Sequence, residues 1–177
     1  MEVFLADKSV NVPSVENDSF HFIKKFIGPL NNEDFITLDD WVKASLSDHS
    51  SDLMLQMDIE GAEYLSIISM SDQLLNRFRI VVVEFHFLHK LWVSEFFKTA
   101  ELAFTKILQN HTCVHIHPNN LCGVERMSGT DIPRAAEFTF IRKDRIKSEV
   151  PQKNFPHPLD FDCSSGKTLI LPRCWYS

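Results

Sequence analysis

Three short stretches of this 177-residue chain place acidic and imidazole groups at spacings that bring them side by side. LMLQMDIEGAE, residues 53 to 63, ends with Asp58 and Glu60; RIVVVEFHF carries Glu84 and His86; TCVHIHP carries His115 and His117. In an extended strand, side chains two apart share a face, so Glu84 and His86 point the same way, as do His115 and His117. Asp7 closes a shorter apolar stretch, EVFLA. If these runs are neighbouring parallel strands, Asp58, Glu84, His86 and His117 collect along one rim. A set of this kind has three uses. It can hold a divalent cation through oxygen and nitrogen donors. It can move protons, because crowded carboxylates raise one another's pKa and imidazole titrates near neutrality. Or it can cap helices and fasten loops, with no chemistry at all. Residue types alone leave the three open.

The elements that would position these groups alternate between strand and helix. EVFLA reads as a strand, and FHFIKKFIG (20 to 28) alternates as a half-buried strand that Gly28-Pro29 stops. In ITLDDWVKASLSDH, Thr37 is a candidate N-cap, with Asp39 and Asp40 in the favourable first turn. LMLQMDI reads as a buried strand. GAEYLSIISMSDQLLN follows at helical spacing, with Tyr64, Ile67, Ile68 and Leu75 inward. RIVVVEFHF is β-branched and nearly continuous, as a strand covered on both faces should be. Residues 89 to 110 form one long amphipathic helix, and TCVHIHP is a strand that Pro118 stops. AEFTFIRK (136 to 143) alternates cleanly, as an edge or antiparallel strand does. His89 and His111 fall at helix ends or in loops, where solvation is expected, whereas Trp41, Trp92 and the phenylalanines at helical spacing are expected in the core. Strand–helix alternation predicts an α/β fold, a mainly parallel sheet with helices on both faces, and ligands outside the carboxyl ends of the strands. The domain spans 1–145; residues 146–177, with Pro151, Pro156, Pro158 and Pro172, keep no period and read as an irregular arm.

Bulk properties narrow the partners. A formal net charge of -6 disfavours a nucleic-acid backbone or an anionic membrane. No apolar run reaches the ~18 residues of a membrane span. No charged and apolar leader is recognisable, so a cytoplasmic location is expected. Cys113, Cys122, Cys163 and Cys174 form no CxxC pair and read as reduced thiols. Zinc on Cys163, Cys174 and His157 would match no usual spacing, and no metal is assigned.

MDIEGAE resembles the K-I-D-v-E-G-a-E signature of the FkbM-type S-adenosylmethionine-dependent methyltransferases. ITLDDWV resembles the segment that precedes the signature in that family, and VVVEFH the strand that follows it, which commonly ends in Glu-x-His. HIHPNN and IPRAAEFTFIRKD resemble the end of the domain in a methyltransferase-like subgroup. The resemblance runs from about Val3 to Asp144. It implies a Rossmann-like class I methyltransferase sheet, mostly parallel with an antiparallel last strand. It further implies that Asp7 holds the ribose hydroxyls of S-adenosylmethionine, and that Asp58 lies near the methyl group and its acceptor. Gly61 would let the backbone turn into the helix, and Glu63 would sit in that helix's first turn.

The chain departs from the family in two ways. Gln56 stands where lysine is usual, and the first strand with its glycine-rich turn has no counterpart; only five glycines occur and none forms GxGxxG. The domain therefore reads as truncated at its N-terminus, with much of the cofactor surface removed. In the family order the absent strand lies between the second and the fourth. Its loss leaves a gap or a direct pairing of EVFLA with LMLQMDI, so a rearranged sheet or a homodimer through the exposed edges is expected. The leading function is O-methylation of a small molecule or sugar, with Asp58, Glu84, His86 and His117 at the acceptor and Asp7 and Asp58 at the cofactor. The alternatives are a folded remnant or interaction module without catalysis, and a metal-dependent hydrolase using the same rim.

Overall fold

The computed structural model describes residues 2–48, 50–152 and 155–175. Along the chain run β1 (Val3–Ala6), β2 (Phe20–Ile23), β3 (Phe26–Ile27), β4 (Phe35–Ile36), α1 (Leu38–Ser45), β5 (Leu53–Met57), α2 (Glu63–Ser69) and α3 (Asp72–Leu75). β6 (Phe78–His86), α4 (Ser94–Asn110), β7 (His111–Pro118), β8 (Val124–Met127), β9 (Thr130–Pro133) and β10 (Ala135–Arg142) follow.

Local chemistry sets most boundaries. Thr37 caps α1 by accepting a hydrogen bond from the Asp40 N–H. The expected helix after MDIEG is two helices: Met70 turns extended, and Ser71 caps α3 by accepting from the Leu74 N–H. The long helix expected over 89 to 110 is likewise divided. Leu88–Trp92 form a 3₁₀ turn, Val93 is extended, and α4 runs to Asn110. FHFIKKFIG is two short strands rather than one, parted at Lys24 and Lys25. β8 and β9, a hairpin not anticipated, turn on Ser128 and Gly129. Both have positive φ, as a tight two-residue hairpin turn requires.

The main sheet has the order β5-β6-β10-β7. β5 is parallel to β6, whereas β10 is antiparallel to both β6 and β7. β5, β6 and β7 thus run the same way and β10 alone runs against them, so the last strand is antiparallel, as expected, and it lies inside the sheet rather than at its edge. Its alternation has another cause, one-sided burial. Ala136, Phe138 and Phe140 join Val81, Val83 and Phe85 in the core with α2 and α4, while Glu137 faces the opposite side. Phe85 packs tilted on Phe104 and edge-on to Phe138, with ring centroids 4.5 and 5.4 Å apart.

β5 follows the same rule. Leu55 and Met57 are buried, but Met54, Gln56 and Asp58 are exposed, so LMLQMDI is half-buried rather than enclosed. The helices expected on both faces contribute to a single core, built with Leu38, Trp41, Tyr64, Ile67, Leu75 and Ala103. β1 pairs in parallel with β2 and makes no ladder with β5. The direct pairing of EVFLA with LMLQMDI is therefore not formed, and β5 keeps one edge without a strand partner among the described residues.

Two further expectations are corrected. His111 is fully buried at the turn from α4 into β7, where its Nε2–H donates to the Phe78 carbonyl at 2.7 Å. That bond holds one ring nitrogen inside, where helix-end position alone suggested solvent, while Nδ1 is buried without a hydrogen-bond partner among the described residues. Trp92 is exposed; it closes the 3₁₀ turn and lies outside α4 rather than on its buried face.

Candidate functional site

The turn after β5 shapes the first half of the site. Glu60 and Gly61 both have positive φ, at 57° and 106°. This reverses the chain so that Glu63, in the first turn of α2, folds back beneath it. Glu63 is fully buried. Its Oε1 accepts from the N–H groups of Ile59 at 3.1 Å and Gly61 at 3.0 Å, and lies 3.0 Å from His86 Nδ1. An ionised carboxylate only accepts, so Nδ1 carries the proton in that contact and the other ring nitrogen is turned toward the rim. There, Nε2 lies 3.5 Å from Glu60, 3.6 Å from Glu84 and 3.8 Å from Asp58. The Tyr64 hydroxyl donates to the His86 carbonyl at 2.7 Å and fixes the end of β6 from the core side.

These surroundings set the electrostatics. Burial opposes the charged imidazolium of His86, but the carboxylates of Glu63, Glu84 and Glu60 together outweigh it, and its pKa lies above the ordinary 6.5. Burial raises the Glu84 carboxyl, Asp58 adds to this, and the amide of Asn119, which donates to Glu84 at 2.7 Å, works against it. Burial followed by the charge of Glu63 pushes the Tyr64 hydroxyl far up, keeping it a neutral donor.

The sheet register gathers the second half. Gln56 sits opposite Val82 on β6; Glu137 of β10 sits opposite Glu84 on one side and His117 on the other. These side chains share the face turned away from the core. With Asp58, Asn119 and His115 they line a cavity of about 540 Å³, closed by Leu159, Asp160, Phe161 and Cys163 of the arm. Asp160 Oδ1 is 2.9 Å from His115 Nε2, and Asp160 Oδ2 is 3.5 Å from His117 Nδ1.

Asp58, Glu84, His86 and His117 therefore do lie on one side of the sheet, His86 as a buried neighbour of Asp58 and Glu84 rather than a lining residue. Asp7 does not join them. It ends β1 outside the cavity lining, with its Oδ1 accepting from the Ser9 N–H and hydroxyl, both at 2.7 Å. Among the described residues, Cys163, Cys174 and His157 do not gather as a ligand set.

Sequence reasoning missed Glu63 as the group that holds His86, and missed Glu137 and Asp160. The period-two alternation of β10 carried the signal for Glu137, since the one acidic residue between Ala136 and Phe138 had to face away from the core. Nothing in the aperiodic arm pointed to Asp160.

The model of the FkbM methyltransferase domain matches residues 10–111, a stretch from before β2 to the first residue of β7 that includes Asp58, Glu63, Glu84 and His86. No curated protein and no solved structure matches. With more than half of its length matched in this way, and with the signature turn built as described, the chain belongs to the FkbM methyltransferase domain family.

Proposed function

We propose that this chain carries out, or derives from a domain that carries out, S-adenosylmethionine-dependent O-methylation of a small molecule or sugar. The observation that carries the reading is His86, held by buried Glu63 through Nδ1 so that Nε2 faces Asp58, Glu60 and Glu84. When bound, the cofactor supplies a methyl group on a positively charged sulfur. The carboxylates that line the cavity, Asp58, Glu84 and Glu137, suit such a cation, and a volume of about 540 Å³ suits a small ligand.

Asp58, about half exposed at the cavity wall, orients the acceptor hydroxyl. Its neighbour His86 takes the hydroxyl proton at Nε2 when neutral, and the Glu63 carboxylate stabilises the imidazolium that results. Glu84 and His117 shape the acceptor side of the same wall. Because the His86 pKa lies above 6.5, turnover is expected to climb with pH through that raised value.

Calorimetric titration of the purified chain with S-adenosylmethionine, followed by single-turnover assays of wild type and Asp58→Asn, tests this directly. Saturable binding that Asp58→Asn weakens or leaves unproductive is the expected result. No heat at millimolar cofactor would refute it for this chain.

A second reading is favoured by specific observations: Asp7 lies outside the cavity, and β1 makes no ladder with β5. In that reading the chain is a folded member of the family without cofactor binding, serving as an interaction module. The same titration separates the two.

A further inference from the structure

We propose that His115, His117 and Asp160 form a divalent transition-metal site of the zinc class, which fastens the C-terminal arm across the polar face of the sheet. The proposal draws on a different set of side chains from the Glu63–His86 pair, and of these only His117 also enters the methyl-transfer reading, as part of the same cavity wall.

The tautomer of His117 is its starting point. His117 Nε2 lies 3.0 Å from the Phe161 carbonyl. A carbonyl only accepts, so Nε2 carries the hydrogen, and in the neutral ring Nδ1 is left with a bare lone pair. That Nδ1 is buried and has no hydrogen-bond partner among the described residues. It faces Asp160 Oδ2 at 3.5 Å, lone pair toward lone pair. Two acceptors held together in this way are reconciled by a positive charge between them, either a second proton on the ring or a metal ion. A metal-bound histidine commonly has its second nitrogen fixed by a carbonyl, and the Phe161 carbonyl supplies that contact.

The other two donors fit the same centre. His115, two residues back on β7, shares the face of His117, and their rings stack with an interplanar angle of 8°. Its Nε2 is 2.9 Å from Asp160 Oδ1. The Asp160 carboxylate is itself aimed by the His157 N–H, which donates to Oδ2 at 2.8 Å. One donor atom from each of the three residues lies within 4.8 Å of the others. Tetrahedral zinc with bonds of about 2.0–2.2 Å sets its ligand atoms roughly 3.3–3.6 Å apart, so the 3.5 Å separation already fits and the 2.9 Å one needs a shift of only about half an ångström. Two imidazoles and a single carboxylate favour zinc, cobalt or nickel over calcium or magnesium, which take oxygen donors. All three residues line the cavity, so any coordination position that the protein leaves open faces the space shared with Asp58 and Glu84.

The test uses the full chain, stripped with a chelator and titrated with zinc chloride by calorimetry and with cobalt(II) by visible absorption. One equivalent of metal is expected, with the intense d–d bands of a low-coordinate cobalt centre. His117→Ala and Asp160→Ala should each weaken zinc binding by about 100-fold or more, beyond the ~10–100-fold that loss of an outer-shell partner costs. Circular dichroism of each variant reports whether it is folded. If one fails to fold, His115→Ala and the wild-type cobalt spectrum still decide the matter. His86→Asn serves as the control, because Asp58, Glu63 and His86 form the other cluster of ligand type. Binding abolished by His86→Asn but kept by His117→Ala would overturn the assignment. So would octahedral-type cobalt bands in the wild type, or no binding at millimolar metal.

Discussion

Gly61→Ala probes how strictly the MDIEGAE turn is specified. Gly61 has φ +106°, and a β-carbon built there lies 2.2 Å from Cε2 of Phe87 and 3.0 Å from its Cδ2. Two costs follow. The backbone conformation itself costs a non-glycine residue about 1–3 kcal/mol. The Phe87 ring must also move. It is 39% exposed, so it can swing toward solvent at a cost of about 0.5–1.5 kcal/mol for leaving its rotamer. The sum is about 1.5–4.5 kcal/mol. Urea unfolding of Gly61→Ala, Phe87→Ala and the double variant separates the two parts. Removing the ring relieves the clash but not the backbone strain. Gly61→Ala should therefore cost about 1–3 kcal/mol in the Phe87→Ala background, with a coupling of about 0.5–1.5 kcal/mol between the sites. A cost below about 0.5 kcal/mol in the wild-type background would refute the strain. An equal cost in both backgrounds would refute the contact.

Other perturbations reach the same site from different sides. Glu63→Gln keeps an acceptor for Ile59 and Gly61 but removes the charge beside His86, so an NMR titration should find the His86 pKa lowered; an unchanged value would deny Glu63 its role. Because the folded pKa of His86 is raised, the folded state binds more protons there. Its contribution to stability is full below 6.5 and is lost as pH rises through the raised value. His111 has the opposite sign: burial lowers its pKa, so its contribution is present at higher pH and is lost as pH falls below 6.5. Unfolding free energy measured against pH should flatten above 6.5 in His86→Asn; a curve parallel to wild type would count against the assignment. Thr37→Ala should cost about 1 kcal/mol through loss of the α1 cap, and a change of only a few tenths would mean the cap is replaced by solvent.

Strand positions were legible in the sequence because period-two burial is a strong local signal, and β5, β6, β7 and β10 all lie within a residue or two of where the pattern put them. What the pattern could not convey was neighbourhood. A clean alternation such as that of β10 follows equally from an edge strand and from an inner strand with one wet face, and only tertiary packing separates them. The same gap hid the roles of buried polar groups. Glu63 in a first helical turn is favoured by the helix dipole whether or not it faces solvent, so nothing local said that it would be the base of the His86 contact. His111 was misjudged for a related reason: its burial depends on a carbonyl 33 residues away at Phe78. Asp58, Glu84 and His117 were found because strand-end carboxylates and imidazoles in an α/β chain are few. Asp160 was not, because an arm without periodicity gives no phase from which to read a direction.

The place of β10 in the sheet also bears on how the molecule is made. Ala135–Arg142 is the last strand in the sequence, yet it separates β6 from β7 and pairs with both. During synthesis, β6 and β7 leave the ribosome with their facing edges open, and neither ladder closes until residue 142 has emerged. Pairing at this separation is slow because the loop entropy is lost before the contacts form, and open strand edges invite wrong partners meanwhile. Nascent chains arrested before Ala135 should therefore show no amide protection in β7, with protection appearing only once β10 is free of the exit tunnel. Early protection of β7 would mean that it first pairs elsewhere. The strand that completes the cavity wall with Glu137 is thus also the one whose arrival commits the chain to its fold.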